Sequence, residues 1–151
     1  MLWIMKTMFD AAVRDDLLRR LKALTPDRKP GWGKFTAPKM VCHVTDGLRM
    51  TLGDLAVKPR RTPLRFPIIK QLVVYVLPFP KGVPTAPELL ARTPTAWNGE
   101  IESLGEMIGC FAGRTPSGAW PAHPAFGPLT GRAWGVLAYR HTDHHFRQFG
   151  I

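Results

Sequence analysis

The chain has 151 residues, 45% hydrophobic and 21% charged, which suits one soluble domain over residues 1–151 that buries its apolar surface without covalent staples. Its two cysteines, Cys42 and Cys110, form no CxxC pair, so neither a disulfide framework nor a sulfur-rich metal site is expected, and a reducing cytoplasmic setting fits. Lys and Arg outnumber Asp and Glu by 21 to 11, a net charge of +10; the basic residues are scattered apart from "KPRRTPLR" and no nucleic-acid motif accompanies them, so nucleic acid is not the expected partner.

The first stretch, "MLWIMKTMFD", leaves the initiating methionine open and lacks the basic, apolar and small-residue regions of a signal peptide. From Asp10, read as the N-cap, to Leu24, the spacing of Val13, Leu17, Leu21 and Leu24 predicts an amphipathic helix, with Leu18 widening the stripe. "TPDRKPGWGK" breaks it, because Pro and Gly punctuate both ends. A second helix is expected from Thr36 to about Leu52, with Pro38 tolerated in its first turn.

Roughly forty residues follow, more than a turn between packed helices needs. Within them "LRFPIIKQLVVYVLP" reads as a short extra helix ended by Pro78, or as a strand given its β-branched content. The longest apolar run, "LVVYVLPF", is far short of the roughly 18 residues a membrane span requires. Thr93 as cap and Pro94 at the first helical position open a third long helix, lined by Trp97, Ile101, Leu104, Ile108 and Phe111, through about Ala112. The fourth starts at Thr130, with Leu129 and Trp134 placed as a hydrophobic staple, and runs to about Phe149. The expected fold is all-α, a four-helix bundle with a long crossover between its second and third helices, where ligand sites are built from facing helices.

Three of the five histidines stand in "YRHTDHHFRQF". At about 100° per residue, His141 and His145 lie about 40° apart on one helix face, one turn from each other, and can reach a common ion. Such a pair also suits a solvated helix face, so a third ligand from another helix is required. His43 shares a face with Met40, Gly47 and Met50 and points inward, with Gly47 leaving space one turn away. Three converging imidazoles in an apolar bundle would repel if protonated and need several buried partners if neutral, whereas a divalent cation satisfies all three lone pairs. Zn²⁺ and Ni²⁺ suit an all-nitrogen site best.

The segments "HPAFGPLTGRAW" and "YRHTDHHFRQFG" resemble the C-terminal signature of the DinB-like superfamily, in a branch labelled a domain of unknown function. "FDAAVRDDLLRRLKALTPD", "HVTDGLRM" and "YVLPFPKGVPTAPELL" extend the resemblance over nearly the whole chain. It implies a DinB-type bundle whose metal is held by one histidine of the second helix and an HxxxH of the last, which are His43, His141 and His145 here. Gly131-Arg132-Ala133 departs from the family in lacking an acidic residue in the last helix's first turn.

Around that site, Asp46 is a candidate base or hydrogen-bond partner, or else a surface pair with Arg49. His123, between prolines on the loop into the last helix, is a candidate acid, base or extra ligand, or else a rigid surface residue. His144 flanks the site, and Gln148 is placed to bond a ligand imidazole or substrate, or to close a polar helix end. Cys42 points about 100° from His43, which argues against thiolate ligation. The leading expectation is a metal-dependent enzyme, for which the resemblance implies a thiol S-transferase or hydrolase acting on a small molecule; the alternative is a non-catalytic metal- or ligand-binding or stress-response module. A homodimer is compatible with such a bundle.

Overall fold

The computed structural model describes residues 5–151, so the start of "MLWIMKTMFD" lies outside the described residues. They form five α-helices and no strand: α1 (Ala11–Lys22), α2 (Ala37–Leu52), α3 (Pro67–Gln71), α4 (Trp97–Cys110) and α5 (Gly131–Gln148). Local chemistry accounts for most boundaries. The Asp10 carboxylate accepts from the Ala12 N–H at 3.0 Å, Thr36 Oγ1 from Lys39 N–H at 3.3 Å and Thr130 Oγ1 from Ala133 N–H at 3.2 Å. Each side chain satisfies one of the free donors at a helix N-terminus, a contribution of about 1 kcal/mol.

α4 starts later than Thr93 and Pro94 suggest. Residues 93–96 stay outside the helix, and Ala96 caps it without a side-chain bond. The reason is Glu100: its buried carboxylate accepts from Thr95 N–H and Oγ1, both at 2.8 Å, and binds Arg92, drawing the preceding segment across the first turn. In the crossover the helical alternative holds and the strand does not. A 3-10 turn (Pro63–Arg65) leads into α3, which continues as one π-type turn (Leu72–Val76) and stops before Pro78.

The four long helices meet in the cyclic order α1, α4, α2, α5. Val13, Leu17, Leu21 and Leu24 enter a core with Met40, Val44, Leu48, Leu104, Ile108 and Phe146, as their period requires. A second cluster, with Trp134, Leu137, Met50 and Val74, joins α5 to the crossover, and Leu129 packs on it. α2 is buried almost throughout, which puts His43 in the interior rather than on a wet surface. No helix among the described residues is long and apolar enough to cross a membrane.

Candidate metal centre

α2 and α5 pack face to face, and their contact carries the histidines. His43, His141 and His145 each offer one ring nitrogen, and these nitrogens all lie within 4.8 Å of one another. His43 Nε2 stands 3.0 Å from His141 Nε2. The three rings meet edge to face, with centroids 4.8–5.0 Å apart. His43 and His145 are 3% and 8% exposed, and His141 is half-buried.

Gly47 makes this approach feasible. The space it leaves beside His43 is filled by the His141 ring: a Cβ on Gly47 would sit 3.2 Å from His141 Cε1 and 3.4 Å from Nδ1. Any side chain there competes with an imidazole for the same volume.

Hydrogen bonds on the far side of two rings decide where their protons sit. His43 Nδ1 lies 3.2 Å from the Leu89 carbonyl, which can only accept, so Nδ1 donates and Nε2 keeps its lone pair. His145 Nδ1 lies 2.8 Å from Gln148 Oε1. The amide is oriented by its own Nε2, which donates to the Trp32 carbonyl at 2.8 Å. Nδ1 of His145 therefore donates as well, and its Nε2 is free. Partners of this kind orient the histidines of metal sites and raise their basicity as ligands.

The rings are also held neutral. Burial pushes His43 below its ordinary range, and burial with the neighbouring His43 pushes His145 down to about 3. Burial, then His145 and His43, hold His141 well below the usual value. At neutral pH all three present the form that binds a cation, without first losing a proton. The donor set fits a divalent ion: two nitrogens sharing one at about 2.0–2.1 Å stand about 3.0–3.4 Å apart, as His43 and His141 do.

Aromatic walls enclose the group. Phe35 packs against His43 and His145, with centroids at 5.2 and 5.7 Å, and Phe79 against His141 and His144 at 6.1 and 5.6 Å. Trp32 meets the His144 ring edge to face, and Lys81 Nζ lies 4.2 Å above the Trp32 ring. His144 thus flanks the cluster, 5.1 Å from His145 between centroids, without joining it.

The other candidates have different partners. Asp46 is buried, but its carboxylate goes to Arg49 at 3.2 Å and Arg92 at 3.3 Å rather than to an imidazole. Arg92 also grips Glu100 at 2.7 and 2.9 Å. Burial alone would raise Glu100; Thr95 N–H, Arg92 and the Thr95 hydroxyl overcome it and hold the acid at about 2. His123 serves its own turn: its Nδ1 accepts from Ala125 and Phe126 N–H at 3.0 and 3.2 Å, and its ring packs on Phe126 and Trp134. Burial and the Arg65 charge push it down to about 4. Cys42 is buried, and burial with the nearby Glu100 carboxylate pushes its thiol up to about 11, so it offers no thiolate.

The sequence pattern did not disclose the Leu89 carbonyl, Trp32, Phe35, Phe79 or Lys81. One local signal exists for Trp32, which stands between two glycines. Gly33 has φ +77°, and a Cβ there would come 2.6 Å from Gln148 Nε2, so the loop needs glycine to reach that amide. Comparison with protein-family models, with curated proteins and with solved structures found no match.

Proposed function

We propose that this protein is a metalloprotein of DinB type in which His43, His141 and His145 hold one divalent cation, Zn²⁺ or Ni²⁺, that activates a small thiol. The observation that carries the reading is the pair of outward donors. Leu89 O and Gln148 Oε1 take the Nδ1 protons and leave the His43 and His145 Nε2 lone pairs for one ion. With their ligand nitrogens all within 4.8 Å of one another, these three residues would hold the ion.

A cation held by three neutral nitrogens keeps its full charge and supplies Lewis acidity, which lowers the pKa of a thiol or water at its open positions. The chain's own residues favour the thiol. Asp46, one turn after His43, is committed to Arg49 and Arg92, Asp143, between His141 and His145 in sequence, to Arg20 and Arg147, and no carboxylate joins the histidine group among the described residues. A thiol activated by a cation needs no separate protein base, whereas hydrolysis ordinarily uses one. Phe35 and Phe79 pack against the imidazoles, and His144, in contact with Phe79, would hydrogen-bond a substrate there.

The test is metal analysis of untagged protein, followed by thiol-conjugation and esterase panels with and without chelator. One equivalent of metal and chelator-sensitive thiol transfer are expected. His145→Ala should bind no metal and lose the effect of chelator on Tm. Stoichiometric metal with no turnover on any panel would instead favour a binding module. Absence of metal affinity in the wild type would remove the proposal.

A further inference from the structure

Seven of the eight large hydrophobic residues that stand exposed among the described residues fall in the crossover between α2 and α4. They are Phe66 (65% exposed), Ile68 (77%), Ile69, Leu72, Val76 (68%), Leu77 and Val83. Ile68, Leu72 and Val76 recur every four residues along α3 and its π-type extension, so they form one solvent-facing stripe. A continuous apolar stripe of this kind is uncommon on a surface with no partner.

The segment is held firmly from behind. Val74 is fully buried. Arg140 donates to the carbonyls of Val73, at 2.8 Å, and of Val74 and Leu77, and Lys70 Nζ donates to Pro128 O at 3.0 Å. These bonds satisfy carbonyls that a short helix otherwise leaves to water. The stripe can therefore leave water without stranding those groups.

Charge identifies the partner. From residue 55 to residue 87 the chain has no Asp or Glu, but carries Lys58, Arg60, Arg61, Arg65, Lys70 and Lys81. None of these six is in an ion pair among the described residues. We propose that the crossover, with its exposed apolar stripe and basic residues free of ion pairs, docks on the surface of an anionic lipid bilayer.

A bilayer answers both features, since its acyl boundary receives the stripe and its headgroups the cations. A nucleic acid backbone offers nothing to Ile68 or Val76. A second copy related by two-fold symmetry would set six cations against six. The docking face ends at the metal centre, because Phe79, three residues beyond Val76, forms a wall against His141 and His144.

The full chain is sedimented with phosphatidylcholine vesicles, with and without phosphatidylglycerol. Each basic side chain near an anionic surface strengthens binding about fivefold, so the protein should pellet at least about tenfold better with the anionic vesicles. Added salt should weaken that binding. Ile68→Glu/Val76→Glu should abolish it, and Arg60→Ala/Arg61→Ala should weaken it, both with unchanged Tm because these side chains are exposed. Failure to pellet with anionic vesicles, or pelleting that Ile68→Glu/Val76→Glu leaves intact, overturns the proposal. So does a dimer in sedimentation velocity that this variant dissociates while the wild type ignores vesicles. Metal content is not at issue in any arm, so the outcome is independent of the metal-centre reading.

Discussion

Gly47→Ala separates the demands of the helix from those of the site. Gly47 lies in the interior of α2, where alanine is the better helix former by about 1 kcal/mol. Taken alone, the exchange should stabilise the metal-free protein. The added methyl, however, falls 3.2 Å from His141 Cε1, and carbon atoms rest at about 3.5–4.0 Å. The His141 ring must yield by about 0.3–0.4 Å, away from the helix that also carries His43. Metal–nitrogen distances tolerate only about 0.2 Å.

Metal affinity should therefore fall about tenfold or more, in the range seen when the groups supporting a metal ligand are disturbed. The assay is competition with a chromogenic chelator, alongside thermal unfolding with and without chelator. The expected result is weaker metal binding with an unchanged or raised Tm in chelator. Wild-type affinity in Gly47→Ala would refute the claim that this glycine exists to seat His141. A large fall in Tm with chelator present would show that the helices, not the ligand ring, absorb the methyl.

Three further outcomes follow from the surrounding hydrogen bonds. Gln148→Leu removes the acceptor of the His145 Nδ1 proton and strands the Trp32 carbonyl, and should cost 10- to 100-fold in metal affinity by the same competition. Glu100→Gln breaks a buried pair whose partner Arg92 is partly exposed, so urea unfolding should show a loss of about 2–3 kcal/mol at neutral pH. Because Glu100 is held at about 2 against an ordinary 4.5, its contribution is present above pH 4.5 and lost as pH falls through 2, and the gap between wild type and variant should close across that window. His123→Asn keeps an acceptor for Ala125 and Phe126 N–H but cannot titrate. With His123 lowered to about 4 from 6.5, its contribution is full above 6.5 and lost as pH falls to 4, so the variant should lose less Tm than wild type over that interval.

How much of the protein was legible in its sequence depended on range. α1, α2 and α5 followed from three capping side chains, joined by the leucine spacing of α1, Pro38 in the first turn of α2 and the Leu129 and Trp134 positions at the start of α5, because a helix is decided largely within four residues along the chain. The facing of His141 and His145 is the same kind of fact, a consequence of one turn. Where a distant group intervened, local rules failed. The start of α4 moved because Glu100 captures Thr95 and Arg92. Asp46 pairs with Arg49 one turn on, as one reading of the sequence had it, but also with Arg92, forty-six residues on, and is buried rather than on the surface.

The sequence alone determined that four long helices form and that two histidines share a face of the last one, since backbone geometry and side-chain period are local. Only the tertiary structure decided that His43 stands 3.0 Å from His141, that Leu89 and Gln148 take the outer protons, and that the crossover leaves its apolar stripe in water. Those are matters of which surfaces meet. Packing of α2 on α5 sets them, and no repeat within either segment encodes the other.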